Sequence, residues 1–320
     1  MAAPFVDRVV HHAICNVVTP HLERSMSARS CANRPGMGTR YGLELFGRFA
    51  SRYHYVLKCD IRSFFASIDR RILREQLAGK VRDSRLLRVI KQVLDIAPVI
   101  ADEPDWFAGD MLLTPLERPR GLPIGNMTSQ TWANWYLNGL DHYVTDLRGF
   151  GAYVRYVDDF AVFGNDKRAL AALKADLQCF LERLRLRMHE HKSRVYRMRE
   201  GVPFLGFRHY PRRRVLLKPT VRRFRRRVRG MVHAGLAADT IRSSIAGWTG
   251  FARMGNTVRL RARLCARFER LVEGRGVNVP RAAWGLVEQQ QRQPALREPE
   301  QQQPREQEQQ QRVSLCAAPA

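Results

Sequence analysis

The sequence predicts an α+β chain built around a split β-α-β-β-α-β sheet. Three observations carry that prediction. "YHYVLKCDI" (Tyr53–Ile61) alternates like a strand and ends at Asp60. "YVRYVDDFAVFG" (Tyr153–Gly164) sets two β-rich runs, Ala152–Tyr156 and Phe160–Phe163, around Asp158 and Asp159, which reads as a hairpin with a charged tip. Helical patterns lie between and after these strands.

Taken in order, residues 1–50 combine a helical pattern (Val9, Val10, Ile14, Val17, Val18) with the loop "NRPGMGTR". After the Asp60 strand, residues 84–96 carry apolar side chains at helical spacing behind a serine. A Pro- and acid-containing connection leads to "TSQTWANWYLNGLDHYV", which predicts a helix capped near Thr128 or Ser129. Behind the hairpin come a helix at about 167–187, a short strand pair in "VPFLGFRHY", and renewed helical patterning over about 236–273. Between Arg208 and Arg229 there are ten arginines and Lys218, with no acid. Val215, Leu216, Leu217, Val221, Phe224 and Val228 interleave with them, which predicts a folded basic face. Glu288–Arg312 holds eleven glutamines and three prolines and few core formers, so that tract is expected to be disordered.

The 320 residues carry 55 Lys+Arg against 30 Asp+Glu, a net charge of +25, which calls for a polyanionic partner such as nucleic acid. The six cysteines form no CxxC pair or zinc spacing, so a reduced, intracellular chain without structural zinc is expected. No run of 18 apolar residues exists to span a membrane, and the first residues do not resemble a signal peptide.

Three aspartates bear on chemistry. Adjacent strands of a split sheet can bring Asp60 and Asp158 together, and a carboxylate cluster is costly unless a cation neutralises it. Oxygen ligands suit Mg²⁺, and two such ions about 3.5–4 Å apart can activate a 3′-hydroxyl and stabilise a leaving pyrophosphate. Clustered aspartates in a basic chain therefore point to nucleotidyl transfer on nucleic acid.

"LKCDIRSFFASID", "GLPIGNMTSQTWANWYLNGLD", "YVDD", "HKSRVY" and "GVPFLGF" resemble, in that order, the motifs of reverse transcriptases. "IGNMTSQ" (Ile124–Gln130) is most similar to the reverse transcriptases of diversity-generating retroelements. Retron-like and group II intron-type enzymes are the alternative, and a truncated, non-catalytic RNA-binding remnant is a third reading. The resemblance implies a right-hand polymerase with fingers, a ferredoxin-like palm and a helical thumb. The expected divisions are 1–210 for fingers and palm, 211–285 for a basic thumb, and 286–320 for the Gln-rich tail. Little sequence precedes "DRVVHHAI", so the fingers are expected to be short.

The resemblance also implies site residues. Asp60, Asp158, Asp159 and the Ile61 carbonyl would hold two Mg²⁺ ions. Phe65 would exclude a ribose 2′-hydroxyl, or else be a core aromatic, which is the better reading for Phe64. Arg34 would grip the triphosphate, or else be a turn cation. Lys192 would protonate pyrophosphate, or else be a surface lysine. Gly206 would hold the primer end, or else mark a bulge. Ile124, Gly125 and Gln130 would contact the substrates, with Ile124 either setting fidelity opposite template adenine or packing beneath the finger loop. The implied partners are an RNA template, a DNA primer, dNTPs and a small basic accessory protein, in a bacterial cytoplasm.

Overall fold

The computed structural model describes residues 4–96, 105–272 and 281–284. The Gln-rich tract and part of the acidic connection lie outside the described residues.

Helices α1 (Phe5–Glu23) and α2 (Thr39–Arg52) precede strand β1 (Tyr55–Asp60). Then follow α3 (Phe64–Ser67), α4 (Arg70–Ala78), α5 (Ser84–Ile96), α6 (Thr114–Glu117), α7 (Met127–Tyr136) and α8 (Asn138–His142), which runs into a π-helical turn at Tyr143–Leu147. The hairpin β2 (Tyr153–Tyr156) and β3 (Asp159–Gly164) leads to α9 (Lys167–Arg183) and β4 (Arg194–Arg197). Strands β5 (Val202–Phe204), β6 (Phe207–Tyr210) and β7 (Arg213–Leu216) are followed by α10 (Lys218–His233), α11 (Ala238–Ala252) and α12 (Val258–Val272).

Local chemistry explains several boundaries. Asp69 caps α4 by accepting the Arg71 and Ile72 N–H groups, and Asp166 caps α9 through the Arg168 N–H. The helix expected to start at Thr128 or Ser129 begins instead at Met127, behind Asn126. Thr128 is buried and its hydroxyl sits 2.9 Å from His11 Nδ1 on α1, so it joins two helices rather than capping one.

The first sheet runs β2-β3-β1-β4, antiparallel throughout, which is the strand order of a β-α-β-β-α-β unit. Alternation sends Leu57, Cys59, Phe160 and Val162 into a core with α1, α4, α5, α7 and α9. Val56, Ala161 and Phe163 face the other way, onto Leu45, Phe46 and Phe49 of α2. Both faces of the sheet are therefore covered. On α1 the apolar pattern is only partly inward: Ile14 and Val18 are buried, whereas Val9, Val10 and Val17 are exposed.

The second sheet, β5-β6-β7, extends the expected strand pair by one strand and crosses residue 210. Beyond it, α10 is one-sided. Phe224, Val228 and Val232 are buried, Phe224 stacking on Trp248 at 3.9 Å, while Arg222, Arg223, Arg226, Arg227 and Arg229 are exposed. The arginine run is thus a helix face, as its interleaved apolar residues require.

Candidate active site

The register of β1 and β3 pairs Asp60 directly with Asp159. Because Tyr156 pairs with Asp159, the β2–β3 hairpin closes over two residues, Val157 and Asp158. Val157 takes φ 59. A β-branched residue in that left-handed region costs about 1–3 kcal/mol, so the surroundings must hold the turn. Three carboxylates consequently gather at one end of the sheet.

Two lysines meet them. Lys58 faces Ala161 across the strands, one diagonal from Asp159, and is buried; its Nζ lies 2.9 Å from Asp159 Oδ1. Lys192 Nζ lies 3.2 Å from Asp60 Oδ1, with its side chain 54% exposed. The segment carrying Lys192 wraps the end of β1. The His189 N–H donates to the Asp60 carbonyl at 2.7 Å, and the Asp60 N–H donates to Ser193 Oγ at 3.2 Å.

Burial pushes the Asp159 carboxyl up to about 6, opposed by Lys58 and reinforced by Asp60 and Asp158. Burial likewise raises Asp158, with Asp60 adding to the rise and Lys192 and Lys58 opposing it. Crowded carboxylates raised this way are the state a cation relieves.

Behind the turn lies a wholly buried ion pair. Arg155 Nε and Nη2 donate to the two Asp141 oxygens at 2.7 and 2.6 Å, and both side chains are fully shielded from solvent. The Tyr153 hydroxyl donates to the same Asp141 at 2.8 Å. Arg155 also donates to the Val157 carbonyl at 2.9 Å, inside the turn itself.

The donor set fits Mg²⁺ in kind, because it offers carboxylate and backbone oxygens and no sulfur or imidazole. It is not a closed cage: among the described residues no cluster of three or more His, Cys, Asp or Glu is arranged to hold a metal. Lys58 occupies Asp159 from a buried position, whereas the exposed Lys192 can swing away from Asp60. Asp60 and Asp158 are thus the two carboxylates best placed to receive a cation.

The remaining expected residues divide. Ile61 is buried beside this cluster and bridges to Met188. Phe65 is half-buried on α3, edge-on to the buried Phe64 at 5.6 Å, and packs against the core. Arg34 is a correction. Its guanidinium pairs with Glu23 of α1 at 2.7 Å and donates to the Ser30 carbonyl at 3.0 Å and to the Ser27 carbonyl, so it staples a loop instead of standing open to a triphosphate. A second correction concerns packing: Ile124 is 72% exposed and does not lie beneath a loop. Gly125 beside it takes φ 109, a conformation that favours glycine, and Gln130 is exposed on the first turn of α7. Gly206, at φ 81, forms the β5–β6 turn together with Leu205.

Lys58 and Arg155 escaped the sequence reading. Each left a signal, as a cation inside an apolar strand: "YVLKCD" and "YVRY".

Among relatives, the chain is 22% identical over 240 residues to Protein YkfC of Escherichia coli (strain K12), covering 63% of this chain and 60% of that protein. It thus spans less than two thirds of that relative's length. Among solved structures it is similar to apo telomerase from Candida tropicalis (TM-score 0.46, 12% identity, 62% of this chain and 39% of that one). It is also similar to telomerase from Candida albicans in complex with a fragment of telomeric RNA (TM-score 0.40, 12% identity, 66% and 37%). Likenesses this slight carry no argument. The family description "Reverse transcriptase (RNA-dependent DNA polymerase)" matches residues 2–209, well over half of the chain, and the chain belongs to that family.

Proposed function

We propose that the protein is an RNA-directed DNA polymerase that copies an RNA template into cDNA from a DNA primer and dNTPs, with 1–210 as fingers and palm and 211–285 as thumb. The observation that carries this reading is the register pairing of Asp60 with Asp159 around a two-residue turn that presents Asp158. Asp60 and Asp158 would hold two Mg²⁺ ions, with the Ile61 carbonyl completing the set. When bound, those ions supply the Lewis acidity that activates a 3′-hydroxyl and steadies the leaving pyrophosphate. Asp159 adds negative charge from its pairing with Lys58. Lys192 Nζ, released from Asp60, holds a proton where pyrophosphate would depart. Phe65 flanks the sugar, and Ile124, Gly125 and Gln130 present a surface for the template and the incoming nucleotide. Arg34 has no part in this scheme.

The exposed arginines of α10 supply distributed, sequence-independent phosphate contacts. Within the family, the run "IGNMTSQ" supports the error-prone enzyme of a diversity-generating retroelement, with a basic accessory protein as a partner. Exposed Ile124 supports that assignment because it offers shape without a hydrogen bond to check the base.

Primer extension on RNA tests the reading. Asp158→Asn is expected to cut synthesis by more than about 100-fold, beyond the range for groups one shell further out, while nucleic-acid binding persists. Polymerisation by that variant at the wild-type rate overturns the assignment.

A further inference from the structure

The guanidinium of Arg155 spends all five of its N–H donors inside the protein. Two go to the Asp141 carboxylate at 2.7 and 2.6 Å. Two go to Asn134, to its side-chain oxygen at 3.3 Å and its carbonyl at 3.2 Å. The fifth goes to the carbonyl of Val157 at 2.9 Å. That last bond is the informative one. Val157 is the β-branched residue at φ 59, and its carbonyl carbon begins the peptide that leads into Asp158. A two-residue turn without glycine or asparagine has no local chemistry to favour a left-handed first position. Here an outside donor holds the carbonyl, and that donor is anchored in turn on α7 by Asn134 and on α8 by Asp141. Asn134 is itself fixed, its amide donating to the Ala32 carbonyl at 2.7 Å. On the other side of Asp158, Lys58 pairs with Asp159. Asp158 therefore stands between two residues that are each tied to a buried cation.

We propose that Arg155 is a positioning residue: through Asp141 and Asn134 it fixes the strained Val157 carbonyl, and so aims the Asp158 carboxylate at the metal shared with Asp60. The inference rests on the polymerase reading given above. The alternative is a core ion pair that stabilises the fold and has no special bearing on Asp158.

The test measures Mn²⁺ binding by the full chain without nucleic acid, from the free-ion electron paramagnetic resonance signal, well below each variant's melting temperature. Primer extension is measured in parallel. Arg155→Lys keeps a charge for Asp141 but cannot fork to Val157 and Asn134 together. It is expected to weaken Mn²⁺ binding by about 10–100-fold, the range for groups that orient metal ligands. Adding Val157→Gly, which takes a positive φ unaided, is expected to recover about fivefold of that loss. Leu77→Ala, a buried change on α4, controls for lost stability and is expected to lower the melting temperature with Mn²⁺ affinity unchanged. If Arg155→Lys binds Mn²⁺ like wild type, or weakens no more than Leu77→Ala at an equal loss of melting temperature, the positioning role is wrong. A lack of recovery on adding Val157→Gly overturns the part assigned to the strained turn. A wild-type protein that makes no cDNA overturns the polymerase reading instead, and the Mn²⁺ series still reports on Arg155.

Discussion

The two hairpins solve the same problem by opposite means. β2–β3 and β5–β6 each close over two residues. At β5–β6 both turn residues, Leu205 and Gly206, have positive φ (46 and 81), the pattern a tight hairpin turn prefers, and one of them is glycine. At β2–β3 the left-handed residue is Val157, and the turn is held from outside by Arg155 and Lys58. One turn is specified by its own residues, the other by residues elsewhere in the chain. Strain is accepted where a carboxylate has to be aimed, and avoided where a turn has only to close.

The largest way to break this contrast is to remove the cation from the strained side. Lys58→Met leaves Asp159 buried without its partner. The expected cost is about 3 kcal/mol, the lower end of the range for breaking a buried pair, because Asp159 keeps 22% side-chain exposure. Urea unfolding at pH 7.5 measures it, and the cost should shrink at pH 5, where Asp159, titrating at about 6, is already largely protonated. An equal loss at both values would show that the charge of Asp159 is not what Lys58 offsets.

The hairpins also carry opposite titrations. Asp159 is raised from 3.8 to about 6, so the native state binds the extra proton; its contribution is complete below 3.8 and is lost as pH rises through 6. His209 on β6 is lowered from 6.5 to about 3 by burial, with Arg214 adding to the fall. Its contribution is complete above 6.5 and is lost as pH falls toward 3. Between pH 4 and 6 the two slopes oppose each other. In metal-free buffer, Asp159→Asn should expose the histidine slope, stability rising relative to wild type by about 1.4 kcal/mol per pH unit. His209→Phe should show the reverse slope, and parallel curves for all three proteins would remove the linkage.

The smallest effect sharpens the comparison at the turns. Gly206→Ala forces φ 81 on a residue whose new methyl group would sit 3.0 Å from Phe251, and should cost about 1–2 kcal/mol. Val157→Gly exchanges strain for chain entropy and should stay within about 1 kcal/mol of wild type. Similar losses in both, by thermal unfolding, would mean the turns are not built differently.

What the sequence made legible was local or alternating. The strand ending at Asp60, the charged hairpin and the split-sheet order all follow from side-chain alternation and turn residues. Illegible features depended on contacts far apart in the chain. Arg34 reads as a turn cation because its partner Glu23 is a helix residue eleven positions earlier, with nothing local to announce the pairing. The start of α7 was misplaced because the Thr128 hydroxyl is used 117 residues away, on His11. Lys58 and Arg155 looked like ordinary strand polar positions until the sheet was found covered on both faces.

One feature of the first sheet bears on how the protein behaves in concentrated solution. A sheet with open edges invites another chain to add a strand. At the β2 edge the backbone groups of Arg155 are already occupied: its N–H donates to the Arg29 carbonyl, and its carbonyl accepts from the Cys31 N–H, both at 2.9 Å. The opposite edge strand, β4, begins with Arg194 and ends with Arg197, both exposed, so a second copy approaching it meets like charge. The same loop that packs beside the strained hairpin thus blocks strand exchange on one side, and charge discourages it on the other.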